Sequence, residues 1–229
     1  MSAIIHLLAG GPGSDRGHIV TLLHKALHAS QLITPRIAYV GAASGDNTSF
    51  FHRIGGLLKR AGVREVTLAP TCGKSKGRDA IVRKTLAVAD AIFISGGDVE
   101  AGMNALQAAN ALPLLQARFE AGVPFIGLSA GSVMLGREWI TWPDPGDDTT
   151  ARMFPCMGFA PIICDAHGEE DDWQELRAAM KLQPPGVCGY GISAPAMLRI
   201  HPDGCMESLG GEVLKIRRGP GSDMDCSVF

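Results

Sequence analysis

The sequence lacks the charge pattern of a nucleic-acid-binding protein and the long apolar run of a membrane protein. Charged residues make up only 19% of the 229 residues, and lysine and arginine form no run. The formal net charge of −2 gives no basic surface for nucleic acid or for an anionic membrane. No apolar stretch is long enough to span a bilayer. We therefore expect neither nucleic acid nor a membrane as a partner.

The six cysteines do not have the spacing of metal ligands or of a disulfide framework. The sequence contains no C-x-x-C pair and no paired cysteine–histidine spacing, so free thiols in a reducing compartment are expected. Residues 1–10 lack the basic segment of a secretory signal peptide. These features predict a cytoplasmic protein without a cysteine metal site.

A glycine-rich segment, Gly10-Gly-Pro-Gly-Ser-Asp15, follows the first predicted strand. It lacks the G-x-G-x-x-G spacing of a dinucleotide-binding loop, and no Walker lysine follows it. A helix N-cap at Ser14 or Asp15 explains the segment better than nucleotide binding does.

In the first half of the chain, short apolar runs alternate with amphipathic helical segments. The predicted strands are Ala3–Leu8, Arg36–Val40, Glu65–Ala69, Ala91–Ile94 and Val123–Leu128. The predicted helices are Gly17–Ser30, Ser49–Ala61, Arg78–Ala87, Ala101–Ala109 and Leu112–Ala121. This alternation predicts a three-layer α/β fold, with a mostly parallel sheet and helices on both of its faces.

The second half has a different pattern, in which strand-like segments are joined mostly by turns and one helix is expected at Asp172–Lys181. We expect these segments to add antiparallel strands at one edge of the sheet. They are Glu138–Trp142, Pro161–Asp165, Gly186–Ile192, Ala196–His201 and Glu212–Ile216. No convincing linker is present, so residues 1–229 are predicted to form one domain.

The most informative motif is Gly127-Leu-Ser129-Ala-Gly131, which follows an apolar strand and precedes a helix-compatible segment. This is the G-x-S-x-G pattern of a nucleophile elbow, in which a sharp turn exposes the serine hydroxyl. The amide that follows the serine, on Ala130, lies where a developing oxyanion would be stabilised. Ser129 is therefore the candidate nucleophile, and a tight turn with a structural serine is the alternative.

A serine nucleophile needs a base, usually histidine. Of the seven histidines, His167 has the most suitable position, because it follows the predicted strand that ends near Asp165. The histidines of the first half lie within predicted helices or the first strand, where surface or packing roles are simpler explanations. His6 in that strand is expected to be a satisfied core histidine.

The carboxylate that would orient the base has two candidates. Asp144 lies in a loop between two prolines, which restrict its backbone. Asp165 is the rival, since it lies two residues before His167, and alternate residues of a strand face the same side. Both interpretations remain open, as does that of an acidic surface turn at Asp144.

A second oxyanion donor is expected from the turn Ser95-Gly96-Gly97-Asp98, which ends a predicted strand. Two glycines allow close approach of the backbone to a ligand. Gly97 is the candidate donor beside Ala130, and a plain strand-to-helix turn is the alternative.

In their order along the chain, these segments resemble the dipeptidase E and cyanophycinase group of serine peptidases. The segments that carry the resemblance are 36–44, 93–98, 127–132, 165–167, 189–192 and 197–200. The resemblance implies a flavodoxin-like fold shared with class I glutamine amidotransferases and an acyl-enzyme mechanism without a metal or cofactor. It also implies Ser129 as nucleophile, His167 as base, Asp144 as triad acid, and Gly97 with Ala130 as oxyanion donors.

The sequence departs from that group beside the base. Dipeptidase E selects an N-terminal aspartate with a basic residue after the catalytic histidine, whereas the segment here is Glu169-Glu-Asp-Asp172. Specificity for Asp-X peptides is therefore not expected. Asp98, Glu169, Glu170 and Asp171 are instead predicted to bind a free amino group or a basic side chain of a small peptide.

Relatives of that group also often carry an acidic residue after Gly-Ile, where this chain has Ser193-Ala-Pro195. The predicted activity is that of an exopeptidase or dipeptidase, and a homodimer is the candidate assembly. An amidase or esterase with the same triad, or a catalytically silent ligand-binding protein on this scaffold, are the alternatives.

Overall fold

A computed structural model describes residues 3–11, 15–73, 77–221 and 223–229. The strands are β1 (Ile5–Leu8), β2 (Arg36–Val40), β3 (Glu65–Ala69), β4 (Ala91–Ile94), β5 (Phe125–Leu128), β6 (Glu138–Thr141), β7 (Arg152–Pro155), β8 (Ile163–Ala166), β9 (Cys188–Ile192), β10 (Met197–Ile200), β11 (Met206–Leu209), β12 (Val213–Arg218) and β13 (Met224–Val228). The helices are α1 (Arg16–Ala29), α2 (Thr48–Arg60), α3 (Arg78–Val88), α4 (Val99–Ala108), α5 (Leu112–Glu120), α6 (Ala130–Leu135) and α7 (Gln174–Lys181). Short 3-10 helices occur at Ala42–Ser44, Asp148–Thr150 and Glu169–Asp171.

The central sheet has the strand order β11-β10-β1-β5-β4-β2-β3. The pairs β1–β5, β5–β4, β4–β2 and β2–β3 are parallel, which confirms the predicted α/β fold with a mostly parallel sheet. At the other edge, β10 pairs antiparallel with both β1 and β11. Because the carboxyl ends of the parallel strands meet at one edge, the loops after β1, β4 and β5 lie together there.

The remaining strands of the second half depart from the expected arrangement. β8, β9, β12 and β13 form a separate four-stranded sheet, and β6 and β7 form a two-stranded sheet. Within the separate sheet, β8 and β9 are parallel, so not all of these additions are antiparallel. A strand's sequence pattern shows which of its faces is buried, but it does not show which sheet the strand joins.

The two faces of the central sheet are covered by different helices. In β2, Ile37 and Tyr39 pack with residues of α1 and α2, whereas Ala38 and Val40 pack with residues of α3, α4 and α5. The alternation is that of a strand buried on both faces. This arrangement leaves the carboxyl edge of the sheet between two helical layers.

The last residue of the glycine-rich segment, Asp15, caps the N-terminus of α1. The side chain of Asp15 accepts hydrogen bonds from the amides of Gly17 and His18, at 3.1 Å each. Asp15 is therefore the N-cap, and Ser14 lies outside the described residues. In the described ranges, no helix combines the length and apolar character needed to cross a membrane.

His6 lies in the middle of the central sheet and is fully buried. Its Nε2 is 3.0 Å from the Ser30 hydroxyl, and the Nε of Arg199 donates to its Nδ1 at 3.5 Å. The ring is therefore neutral, with its proton on Nε2. Burial, together with the positive charges of Arg199 and His201, lowers the pKa of His6 to about 3. This is the satisfied core histidine that the sequence predicts.

We predict that His6 makes the fold less stable as the pH falls. Its ordinary pKa is 6.5 and its folded value is about 3, so the unfolded chain binds a proton that the folded chain does not bind. Between pH 7.5 and 4.5 this group should lower the free energy of unfolding by roughly 2–3 kcal/mol. Urea titrations of the wild type and of His6→Gln measure the difference. The exposed control His24→Gln should keep the wild-type pH dependence, and an equally steep dependence in His6→Gln would contradict the assignment.

Candidate active site

Ser129 lies at the sharp turn between β5 and α6. Its φ of 53° and ψ of −124° are a strained backbone conformation for a residue other than glycine. A Cβ atom on Gly131 would lie 2.1 Å from the carbonyl oxygen of Ile94, and one on Gly127 would lie 2.6 Å from the Cα of Ser132. Both flanking glycines are therefore needed for close backbone packing, and the turn has the geometry of a nucleophile elbow.

His167 lies directly after β8 and faces the serine. The distance between the Ser129 Oγ and the His167 Nε2 is 2.7 Å, which is a hydrogen bond. The His167 amide donates to the carbonyl of Ile192 at 2.9 Å, and its φ is 52°. The ring packs on Gly11, where a Cβ atom would lie 3.1 Å from that of His167. The serine and the base predicted from the sequence are thus in contact.

The turn after β4 packs against the serine. A Cβ atom on Gly96 would be 3.1 Å from the Cβ of Ser129, and one on Gly97 would be 2.0 Å from the carbonyl oxygen of Ala43. Gly97 also has a φ of 145°, which favours glycine. Within the described parts of the chain, the amides of Gly97 and Ala130 have no protein acceptor. Both are thus available as donors beside Ser129.

Asp144 lies apart from this pair, in the exposed loop between β6 and β7. Its carboxylate accepts from the amide of Gly146 at 3.0 Å, and its own amide donates to the Thr150 hydroxyl at 3.3 Å. Among the described side chains, no carboxylate accepts a hydrogen bond from the His167 Nδ1. The structure therefore does not bring Asp144 into hydrogen-bond contact with the base.

Asp165, the other candidate acid, is largely buried in β8. Its carboxylate accepts from the amide of Ala166 at 2.7 Å. Burial, reinforced by the negative charges of Glu175, Asp171 and Glu169, raises the pKa of Asp165 to about 7. A carboxyl group in this environment is largely protonated below neutral pH, when it carries no charge that could stabilise an imidazolium.

The four acidic residues predicted to bind substrate have other contacts. Asp98 caps α4 by accepting from the Ala101 amide at 2.7 Å, and Glu169 accepts from the Ala194 amide at 2.9 Å. Glu170 and Asp171 are exposed in the 3-10 helix that Glu169 begins. None of the four lines the cavity that contains Ser129 and His167.

That cavity has a volume of about 530 Å³ and is bounded on one side by α1 and α2. Arg16 and Arg53 line it, and its described lining contains no acidic residue. These arginines belong to no motif and were not predicted. The signal that could have found them is topological, because the helices after β1 and β2 begin at the carboxyl edge of a parallel sheet. In the described ranges, no three His, Cys, Asp or Glu side chains converge as metal ligands.

Comparison with known proteins identifies the family of the chain. The sequence profile of peptidase family S51 matches residues 5–207. The chain belongs to peptidase family S51. It is therefore a serine-type peptidase, and the resemblance to the dipeptidase E group is confirmed.

Individual relatives agree with this family. A protein named Peptidase E from Streptomyces coelicolor is 27% identical over 185 residues, which cover 77% of this chain and 72% of the relative. The crystal structure of a peptidase from an acI-B1 actinobacterium superposes with a TM-score of 0.71 at 16% identity, covering 100% of this chain and 98% of that one. A putative peptidase E from Listeria monocytogenes gives 0.62 at 17% identity, with 94% and 98% covered. The two structures support the fold.

We predict that Gly131→Ala destabilises the protein by about 1–3 kcal/mol or more, because the new methyl group meets the backbone of Ile94 and not a flexible side chain. Gly56→Ala is the matched control, since its site in α2 is open and alanine favours a helix by roughly 0.5–1 kcal/mol. Urea denaturation measures both variants. Equal stability of Gly131→Ala and the wild type would show that the turn can relax.

Proposed function

We propose that this S51 peptidase cleaves small peptides through an acyl-enzyme on Ser129, with His167 as the general base. The observation that carries the proposal is the 2.7 Å hydrogen bond between the Ser129 Oγ and the His167 Nε2. A serine hydroxyl becomes an effective nucleophile when a base at this distance can take its proton. The elbow conformation of Ser129 supports the same role, since it exposes the hydroxyl at the cavity.

The proposed reaction has two halves. The Ser129 Oγ attacks the scissile carbonyl carbon as its proton moves to His167, and the carbonyl oxygen becomes an oxyanion that the amides of Gly97 and Ala130 stabilise. The C–N bond then breaks, and His167 gives the proton to the leaving amine. In the second half, His167 takes a proton from water as the water oxygen attacks the acyl carbon. The bond between that carbon and the Ser129 Oγ then breaks, His167 returns the proton to the Oγ, and the new carboxylic acid leaves.

For the orientation of the base, the contacts support backbone packing more than a charged third residue. The His167 amide is bonded to the Ile192 carbonyl, and the ring packs on Gly11. Asp144 is exposed and bonded within its own loop, and burial raises the pKa of Asp165 to about 7. We therefore propose that Ser129 and His167 form the catalytic unit and that Asp144 contributes much less to the rate.

We predict that Ser129→Ala and His167→Gln each lower kcat/KM for a small peptide by at least about 10⁴-fold, because either change removes the activated nucleophile. Hydrolysis is followed across a dipeptide library that varies the N-terminal residue. Circular dichroism and the Tm should show that both variants remain folded. Wild-type turnover by folded Ser129→Ala would refute the mechanism.

The same assay with Asp144→Asn tests the proposed minor role of that residue. We expect kcat/KM to fall by less than about tenfold, because the carboxylate makes no hydrogen bond to His167. A fall of about 10⁴-fold, the size found when a triad aspartate loses its charge, would instead mean that Asp144 reaches His167 during turnover. Asp165→Asn applies the same test to the other candidate.

A further inference from the structure

We propose that Arg16 and Arg53 bind the C-terminal carboxylate of the peptide, and that the apolar wall beside them holds the side chain of the same residue. The inference rests on the proposed function, since it assigns the leaving-group side of that site. It makes the enzyme selective for short peptides with an apolar residue and a free carboxylate after the scissile bond.

The two arginines are free to bind an anion. Arg16 is the first residue of α1, and Arg53 lies on α2 with its guanidinium carbon 4.8 Å from the centre of the Phe50 ring. Among the described side chains, no carboxylate forms an ion pair with either residue. Two unpaired guanidinium groups at one cavity, with no acidic residue in its described lining, favour a bound carboxylate.

The other residues that line the cavity indicate whether a side-chain carboxylate or a C-terminal carboxylate fits there. Beside the arginines, the cavity is lined by Ile19, Ile54, Leu57 and Leu128. The side chain of an aspartate would cover little of this surface, since it has a single methylene group. A leucine- or phenylalanine-like side chain would cover it and remove apolar area from water on both partners. The lining therefore favours a residue that has an apolar side chain and also carries a terminal carboxylate.

The chemistry at His167 gives the direction of the peptide. His167 must protonate the amine of the leaving residue, so that amine lies beside the His167 Nε2. In a C-terminal residue the carboxylate carbon is only two bonds from the same nitrogen. The carboxylate therefore lies close to His167, which lines the same cavity as Arg16 and Arg53.

The volume of the cavity agrees with a small ligand. About 530 Å³ lies within the range of small-molecule sites in proteins. Arg53 also borders a second cavity of about 410 Å³, together with Ser44, Asn47 and Ser49, whereas Arg16 does not. Arg16 is therefore the more specific probe of the proposed carboxylate site.

Binding to the Ser129→Ala protein tests the inference without requiring turnover. Calorimetry compares the dipeptide Ala-Leu with its C-terminal amide, Ala-Leu-NH2. We expect the free acid to bind at least about tenfold more tightly, because only it can form charge-assisted hydrogen bonds with the guanidinium groups. Adding Arg16→Gln or Arg53→Gln should bring the ratio of the two dissociation constants close to one.

The control is Arg60→Gln, which removes an arginine from the last turn of α2, outside the cavity lining, and should keep the wild-type ratio. A ratio near one in the Ser129→Ala protein itself would overturn the proposal, and so would an equal loss of affinity for acid and amide in the arginine variants. The amidated peptide Asp-Ala-NH2 tests the other source of a carboxylate. Tighter binding of Asp-Ala-NH2 than of Ala-Leu, lost with Arg16, would overturn the assignment to the C-terminus.

The proposed function fails in a different way. If wild-type protein hydrolyses no peptide while the acid-to-amide ratio in the Ser129→Ala protein still depends on Arg16, then the carboxylate site stands and the peptidase mechanism does not. If peptides are hydrolysed through Ser129 with no preference for a free carboxylate, then the mechanism stands and the carboxylate site does not.

Discussion

The close approach of backbone segments around Ser129 is the constraint on which the site depends. Gly131 packs on the carbonyl of Ile94, Gly97 packs on that of Ala43, and Gly11 packs on the ring of His167. A side chain at any of these positions would push apart two segments that must touch. Because the loops after β1, β4 and β5 are held together in this way, Ser129, His167 and Gly97 line one cavity.

Charge is distributed unevenly around this site. The segment after His167 is acidic, but its side chains do not line the cavity. Glu169 accepts a hydrogen bond from a backbone amide, and Glu170 is exposed. The cavity beside the serine is instead lined by Arg16 and Arg53 on the α1 and α2 side. Asp165, at the end of β8, is largely buried, and burial raises its pKa. Sequence proximity to the base was therefore a poor guide to the charge of the cavity.

Much of the fold could be predicted because its signal is local. The parallel strands are short apolar runs, and β2, β3 and β4 have the predicted bounds. β7, β11 and β13 were missed, since their residues are mostly half-buried or exposed and form no apolar run. The assignment of β8, β9 and β12 to a second sheet depends on long-range packing, which composition does not contain.

The site divides in the same way. The elbow at Ser129 and the strand-end position of His167 are visible in a few consecutive residues, and the structure brings the two side chains together. The contacts of Asp144 depend instead on the conformation and packing of its loop, which the local sequence does not show. Arg16 and Arg53 are separated by a strand and parts of two helices in the sequence, and only the packing of α1 beside α2 brings them to one cavity.

The central claim is that the Ser129 hydroxyl, activated by His167, is the nucleophile. Its most direct test is treatment with an alkyl fluorophosphonate, followed by intact mass measurement, peptide mapping and a peptidase assay on the same sample. The account predicts one phosphonyl group per chain, on Ser129, with loss of peptidase activity in proportion to labelling. Full peptidase activity in protein phosphonylated at Ser129, or stoichiometric labelling of a different serine, would contradict it.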